Sequence, residues 1–228
     1  MSVVENYSRI QDEIGKIAIA IGRDPGNIRI IAVSKTFDAP TVQEAIDAGV
    51  RVFGENKVQE AKIKIPLLKG DFSFHMVGHL QTNKARDAVN LFDAIHSIDR
   101  IETAVKVDAE AGRIAKKQKV LVQVNASRED SKSGVAPGDS LDLVRKILDL
   151  ENLELIGLMT MAPFTDEEGP VRSAFRETRR LLDRINDTFG LTLGELSMGM
   201  SSDYRIAVEE GATMLRIGTA IFGSRNIE

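Results

Sequence analysis

Apolar residues near the amino terminus recur at helical spacing. Tyr7, Ile10, Ile14, Ile17 and Ile21 follow one another at intervals of three or four residues, which places them on one face of an α-helix. A turn sequence of Asp, Pro, Gly and Asn follows this segment directly. The pattern therefore predicts an amphipathic helix that ends before residue 24.

Beyond this helix, short apolar segments alternate with longer amphipathic ones. The first apolar segment, residues 28–33, is rich in β-branched residues and nearly free of polar ones, as in a strand that is covered on both faces. Seven further strands are predicted at residues 50–53, 72–78, 94–97, 120–124, 153–159, 193–198 and 214–217, with helices between them at 41–48, 56–68, 82–91, 101–117, 141–150, 171–189 and 203–210. Strict alternation of this kind indicates a parallel sheet.

Eight strands, each preceded by a helix, favour a closed (β/α)8 TIM-type barrel over an open doubly wound sheet. The 228 residues are close to the ~250 residues that are usual for this fold. A dinucleotide-binding fold would need a glycine-rich loop after its first strand, but this chain has Ser34, Lys35, Thr36 and Phe37 there. We therefore expect an α/β protein with a single barrel domain over residues 1–228 and an extra N-terminal helix.

Composition narrows the classes of function. The chain has no cysteine, which excludes disulfides, a thiolate nucleophile and cysteine-ligated metal. Its 30 basic and 34 acidic residues leave a net charge of −4, which argues against nucleic acid or an anionic membrane as a partner. No apolar stretch approaches ~20 residues, and the amino terminus lacks the features of a signal peptide. We therefore expect a cytoplasmic location.

Lys35 is the first candidate for chemistry. Active sites of these barrels lie at the carboxyl ends of the strands, and Lys35 ends strand one on the same face as Val33 and Ile31. Burial disfavours the charged form of an amine, and a neutral amine can attack an aldehyde. The commoner alternative is a lysine that extends from the barrel rim into solvent.

A second candidate lies across the barrel, where strands seven and eight end. Ser201 and Ser202 precede a predicted helix, and Gly218 and Thr219 follow strand eight. Small residues and helix-starting backbone N–H groups suit a phosphate; the alternative is that they serve only turns and a helix cap. An amine opposite a phosphate site suggests a phosphorylated aldehyde, of which pyridoxal phosphate is the obvious example.

The three histidines do not predict a metal site. His75, His79 and His96 have no clustered carboxylates beside them in the sequence. We expect His79 to hydrogen-bond a loop and His96 to pack at the end of a strand.

Seven motifs resemble those of the pyridoxal phosphate homeostasis protein family. They are Ile31–Thr36, Phe53–Glu60, His75–Lys84, Ser131–Gly134, Gly157–Met161, Leu196–Ser201 and Arg216–Gly223. The motifs occur in order over nearly the whole chain. The resemblance implies the alanine racemase barrel, which is the fold type III architecture of pyridoxal phosphate proteins.

The same resemblance implies roles for individual residues. Lys35 would hold pyridoxal phosphate as a Schiff base, and Arg216 would face the pyridine nitrogen. Because arginine only donates hydrogen bonds, the ring nitrogen would stay unprotonated, which makes the ring a weak electron sink. The phosphate would be held by Ser201, Gly218 and Thr219, and the pocket would be lined by Asn56, Lys132 and Met161. Alanine racemases have a histidine at the position that matches Met161.

The resemblance implies a protein of pyridoxal phosphate homeostasis, which binds, protects and supplies the cofactor, with apoenzymes as partners and no efficient catalysis. We expect a monomer, because the family lacks the racemase β-domain. The alternative is an amino-acid racemase that uses Lys35, but it needs a second base, a tyrosine from that β-domain, and the chain stops at Glu228 with only Tyr7 and Tyr204. A lysine-dependent aldolase without cofactor also stays open.

Overall fold

Eight parallel strands close into a barrel in the computed structural model, which describes residues 2–127, 129 and 133–223. The strands are β1 (Arg29–Val33), β2 (Val52–Glu55), β3 (Ser73–Met76), β4 (Ala94–Ile98), β5 (Gln118–Val124), β6 (Leu153–Thr160), β7 (Glu195–Ser197) and β8 (Met214–Ile217). Each strand pairs with the next in chain order, and β8 pairs with β1, with Ile30 opposite Leu215. The predicted (β/α)8 barrel is confirmed.

Helices cover the outside of the barrel. They are α1 (Val3–Ala20), α2 (Ala39–Asp47), α3 (Val58–Lys64), α4 (Ala85–Leu91), α5 (Ile101–Arg113), α6 (Ser140–Leu148), α7 (Glu168–Phe189), α8 (Tyr204–Glu209) and α9 (Thr219–Phe222), with 3-10 turns at Pro25–Asn27, Ile65–Leu67 and Thr82–Lys84. No described helix has both the length and the apolarity to cross a bilayer. The sequence did not predict α9, because four residues are too few to show helical periodicity.

The extra helix α1 begins at a complete capping box and packs against the last two helices, α8 and α9. Ser2 Oγ accepts a hydrogen bond from the backbone of Glu5, whose carboxylate accepts one from the backbone of Ser2. Asn6 Nδ2 donates to the carbonyl of Ile221 in α9, at 3.0 Å. Since the buried face of α1 is apolar, the helix closes the core beneath α8 and α9.

Strand β2 begins two residues later than the sequence predicts. Gly49 has a φ of +96°, and the N–H of Val50 bonds the carbonyl of Ala45 at 3.0 Å, so residue 50 still belongs to the turn after α2. Regular pairing begins with Val52 opposite Ser73. An apolar residue at a helix end resembles the first residue of a buried strand in the sequence alone.

The inside of the barrel is filled by a small apolar cluster and a polar one. The apolar cluster contains Ile31, Val33, Val77 and Met214. The polar one contains four buried side chains that hydrogen-bond one another: His75, His96, Ser197 and Arg216. Burial is the main reason why the pKa of His75 is lowered to about 4. It is also the main reason why the pKa of His96 lies well below its usual range. Both imidazoles are therefore neutral near neutral pH.

Acidification below pH 6.5 should destabilise the barrel. The histidines of the unfolded chain become protonated in this range, whereas the two buried imidazoles of the folded protein stay neutral. The folded pKa lies below the unfolded one, so this stability is complete above pH 6.5 and falls toward pH 4. Each histidine contributes a slope of about 1.4 kcal/mol per pH unit within that window. Urea denaturation at several pH values measures the slope. The variant His75→Gln should reduce it by one histidine's share; an unchanged slope would contradict the prediction.

Candidate functional site

A cavity of about 360 Å³ opens at the carboxyl-terminal end of the barrel, which we call the mouth. Its lining comprises Val33, Lys35, Phe37, Asn56, Val77, Met161, Met200, Ser201, Ser202, Arg216, Gly218, Thr219 and Gly223. Seven of the residues predicted for the site are therefore brought together: Lys35, Asn56, Met161, Ser201, Arg216, Gly218 and Thr219. The eighth, Lys132, lies outside the described residues.

Lys35 is directed into the cavity by the alternation of side chains at the end of β1. Val33 and Lys35 both line the cavity, whereas Ser34 between them is fully buried on the other side. Ser34 Oγ donates to Glu55 Oε1 at 2.9 Å. Lys64 Nζ donates to the carbonyl oxygen of Ser34 at 2.7 Å and also forms a short contact with Glu55 Oε1. This buried cluster holds the backbone immediately before Lys35.

The residue after Lys35 is held in an unusual conformation. Thr36 has a φ of +69°, which is rare for a β-branched residue and costs on the order of 1–3 kcal/mol. Its N–H donates to Glu60 Oε2 at 3.0 Å, and the ring of Phe37 stacks on Phe222 at 5.0 Å between centroids. Contacts with α3 and α9 thus keep the strained turn in place and fix the backbone on both sides of Lys35.

Arg216 supplies a buried positive charge at the floor of the cavity. The residue is only 5% exposed. Its Nη1 donates to the carbonyl and hydroxyl oxygens of Ser197 at 2.6 and 2.7 Å, and its Nη2 donates to the carbonyl of Thr160 at 2.8 Å. All three of these hydrogen-bond acceptors are neutral.

The charge of Arg216 persists despite its burial. Burial lowers the pKa of Arg216 to about 10, while Asp203 raises it, so the guanidinium stays protonated at neutral pH. Three of its five N–H donors are used within the described residues. Buried donors need acceptors, so the remaining N–H groups of Arg216 suit the cavity to a ligand that accepts hydrogen bonds.

Ser201 and the segment after β8 lie together on the rim beside β1. They do not lie across the barrel from Lys35, as the sequence predicted, because β8 pairs with β1 in the closed barrel. Ser201 Oγ accepts a hydrogen bond from the N–H of Ala220 at 3.2 Å, which joins the turn after β7 to α9. Asp203 is the N-cap of α8, which begins at Tyr204, so the predicted helix start at residue 203 is one residue early. Gly199 in this turn has a φ of +93°, and a Cβ there would lie 2.5 Å from that of Ala207. The turn therefore requires glycine.

Gly78 determines how closely the loops after β2 and β3 approach each other. A Cβ at this position would lie 2.4 Å from the carbonyl oxygen of Asn56, a residue that lines the cavity. The side chain of Asn56 therefore reaches the cavity only because residue 78 has no side chain.

The variant Gly78→Ala should displace Asn56 and reduce the free energy of unfolding by about 1–3 kcal/mol, as other overpacked sites do. Thermal or urea unfolding measures the loss. Gly194→Ala is the matched control, because a Cβ there meets nothing within 4 Å. Equal stability of the two variants would show that the loops can separate freely.

Comparison with known proteins places the chain in a family. A family model described as alanine racemase, N-terminal domain, matches residues 6–226. Over 226 residues the chain is 41% identical to the pyridoxal phosphate homeostasis protein of Pseudomonas aeruginosa, covering 99% of this chain and 96% of that protein. This chain belongs to the pyridoxal phosphate homeostasis protein family.

Solved structures of two kinds resemble this member of the homeostasis protein family. PipY of Synechococcus elongatus PCC7942, solved with pyridoxal phosphate bound, is 35% identical with a TM-score of 0.87, covering 97% of this chain and 100% of PipY. Alanine racemase of Clostridium difficile 630 is 15% identical with a TM-score of 0.75, covering 96% of this chain and 57% of the racemase. The second similarity concerns the fold alone.

Two of the three histidines of this homeostasis-family protein, His75 and His96, lie on the barrel strands β3 and β4. His96 was expected at a strand end, but it lies within β4 and points into the barrel, because β4 extends through residue 98. His79 does contact a loop, with its Nε2 3.1 Å from Arg100 Nη2. Among the described residues, no group of three or more His, Asp or Glu side chains could hold a metal ion.

Sequence reasoning missed several residues of the cavity in this family member. They are Val33, Phe37, Val77, Met200 and Gly223. Val33 could have been found, since it shares a strand face with Lys35. Phe37 could not, because its place depends on stacking against α9, which the sequence did not predict.

Proposed function

We propose that this protein binds pyridoxal phosphate in the cavity at the mouth and serves the homeostasis of that cofactor. The observation that carries the proposal is the presence of Lys35 and the buried cation of Arg216 in one cavity. The binding of pyridoxal phosphate by PipY and the name of the Pseudomonas aeruginosa relative support it.

The residues of the cavity fit this cofactor by their chemistry. When bound, pyridoxal phosphate supplies an aldehyde, an anionic phosphate and a ring nitrogen that can accept a hydrogen bond. Lys35 offers the amine that attaches the aldehyde covalently, and Arg216 offers a fixed N–H donor to the ring nitrogen. The hydroxyl of Ser201 and the backbone of Gly218 and Thr219 hold the phosphate.

Asn56 and Met161 line the same cavity, and the family resemblance assigns Lys132, which lies outside the described residues, to the binding of the same ligand. The amide of Asn56 can both donate and accept hydrogen bonds, whereas the thioether of Met161 has no proton to transfer. These two side chains therefore orient the ligand without supplying an acid or a base.

The cavity supports the role of a carrier better than that of an enzyme. Among the described residues that line it, only Lys35 and Arg216 have ionisable side chains, and Arg216 stays protonated. Racemisation through two bases needs a second group that accepts a proton on the other face of the ring. Loss of one such group typically costs a factor of about 10²–10⁴ in rate. We therefore infer that the protein lacks efficient turnover.

Neither tyrosine offers the second base that the racemase alternative requires. Tyr204 is buried, and its hydroxyl donates to Glu13 Oε2 at 2.8 Å, in the contact between α8 and α1. Tyr7 lines a separate hollow beside α1.

The carrier function includes delivery of the bound cofactor to apoenzymes that depend on it.

Absorption spectroscopy of the purified protein with added pyridoxal phosphate tests the binding. We expect a band that borohydride removes, with the reduced adduct found on the Lys35 peptide by mass spectrometry. The absence of a reducible adduct anywhere in the chain would refute binding through an amine.

Incubation of the loaded protein with L-amino acids tests the carrier role. We expect no steady racemisation, decarboxylation or transamination at ordinary enzymatic rates, of about 1 s⁻¹ or more. Mixing the loaded protein with an apoenzyme and a scavenger of free cofactor should restore the activity of that apoenzyme. Turnover at enzymatic rates would favour the racemase alternative.

A further inference from the structure

A chain of hydrogen bonds runs through the barrel interior from the floor of the cavity toward the amino-terminal ends of the strands. Arg216 Nη1 lies 2.7 Å from Ser197 Oγ, which lies 2.9 Å from His96 Nδ1. His96 Nε2 lies 3.0 Å from His75 Nδ1. The four side chains come from β8, β7, β4 and β3. They are all at most 8% exposed, so water does not replace these partners.

The direction of every bond in this chain follows from its first member. An arginine only donates, so Ser197 Oγ accepts from Arg216. The hydroxyl proton of Ser197 then needs an acceptor, and the acceptor within reach is Nδ1 of His96. A neutral imidazole with an accepting Nδ1 carries its proton on Nε2, so His96 donates to Nδ1 of His75. His75 in turn carries its proton on Nε2.

The opposite direction would leave a buried proton without an acceptor. If His96 donated from Nδ1, the hydroxyl of Ser197 would face two donors, His96 and Arg216. An unsatisfied buried polar group costs more than the net gain of an ordinary hydrogen bond. The low pKa values of both histidines, caused chiefly by burial, agree with the neutral forms that the chain requires.

We propose that Ser197, His96 and His75 are positioning residues, whose one-directional hydrogen-bond chain holds the guanidinium of Arg216 in place at the floor of the cavity, where it would face the ring nitrogen of the cofactor. The inference rests on the proposed function only in naming the cofactor as the group that Arg216 faces. Its function is to keep the remaining N–H donors of Arg216 directed into the cavity, so that the ring nitrogen meets a fixed donor and never a proton acceptor.

Nitrogen-15 NMR of the imidazoles tests the direction of the chain in protein without cofactor. The sequence contains only three histidines, and the exposed His79 serves as the reference. We expect His96 and His75 both to carry a proton on Nε2 and none on Nδ1 at neutral pH. Ser197→Ala should shift the Nδ1 resonance of His96, because its hydrogen-bond donor is lost. A proton on Nδ1 of either buried ring would overturn the proposal.

Affinity for pyridoxal phosphate tests the positioning role. His96→Leu removes the acceptor for Ser197 and should weaken binding about tenfold or more, as expected for a buried hydroxyl left unsatisfied. His96→Asn keeps an acceptor at the position of Nδ1 and should stay within about threefold of the parent protein. The absorption band of the bound cofactor should shift in the leucine variant alone.

The arms of this experiment separate its possible failures. Equal binding and equal spectra of the His96→Leu and His96→Asn variants would refute the positioning role. If His96→Leu does not fold, Ser197→Ala carries the same expectation with a smaller change in volume. If the parent protein binds no pyridoxal phosphate, the proposed function fails, and the NMR result alone decides the direction of the chain.

Discussion

Replacing Lys35 by alanine should abolish the covalent attachment of pyridoxal phosphate. The side chain of Lys35 lines the cavity, and no other described residue of that lining carries an amine. Lys64 lies behind this strand end, where it is buried and held by Glu55 and by the carbonyl of Ser34, so it does not reach a ligand in the cavity. The variant should lose the reducible absorption band and the corresponding mass adduct.

Stability should change little in the Lys35→Ala variant. Lys35 is half-buried at the barrel rim, so its removal should cost no more than about 1 kcal/mol. Lys57→Ala is the matched control, because this nearby lysine is 70% exposed and pairs only with Glu60. The control should retain the adduct. A reducible adduct that persisted in Lys35→Ala as the main species would disprove the assignment.

Replacing Lys64 by methionine should reduce the free energy of unfolding by about 3–5 kcal/mol, because it leaves the buried carboxylate of Glu55 without its cation. Glu55 is fully buried and Lys64 only 6% exposed. The carboxylate receives hydrogen bonds from Lys64 and Ser34 on Oε1 alone, and Oε2 has no partner among the described residues. Urea denaturation near neutral pH measures the loss.

An exposed ion pair between α3 and α4 provides the control for the Lys64 pair. Lys62 Nζ lies 3.1 Å from Asp87 Oδ1, and its side chain is 62% exposed. Lys62→Met should therefore cost only about 0–1 kcal/mol. Because the buried cluster also holds Ser34, Lys64→Met should weaken cofactor binding as well. Equal losses of stability in the two variants would show that burial does not govern the Lys64 pair.

The sequence could predict those residues of the cavity that lie close to the end of a strand. Lys35 follows β1 by two residues, and Gly218 follows β8 directly. The carboxyl ends of parallel barrel strands meet at one end, so such residues converge whatever the exact register. Asn56 and Met161 were placed by resemblance to the family, whereas Ser201 was proposed from its place after strand seven; the structure puts all three in the same lining.

The sequence could not predict those residues of the site whose positions depend on contacts between distant segments of the chain. Phe37 lines the cavity because it stacks on Phe222, 185 residues later. His96 reaches Ser197 across 101 residues, and the sequence shows it only as a polar residue within an apolar strand. Such pairs are set by the tilt and stagger of the strands in the closed barrel, which no local pattern records.

The sequence by itself determined the alternating order of helices and strands and the closed parallel barrel. It also determined that Lys35 lies at the carboxyl-terminal end of the barrel strands. These properties follow from periodicity and chain order, which are local. Only the tertiary structure decided that Arg216 has neutral partners alone, and that Glu55 and Lys64 form a buried pair behind Lys35. Burial and hydrogen-bond partners depend on which side chains the closed barrel brings within a few ångströms, and that distance is a property of the folded chain.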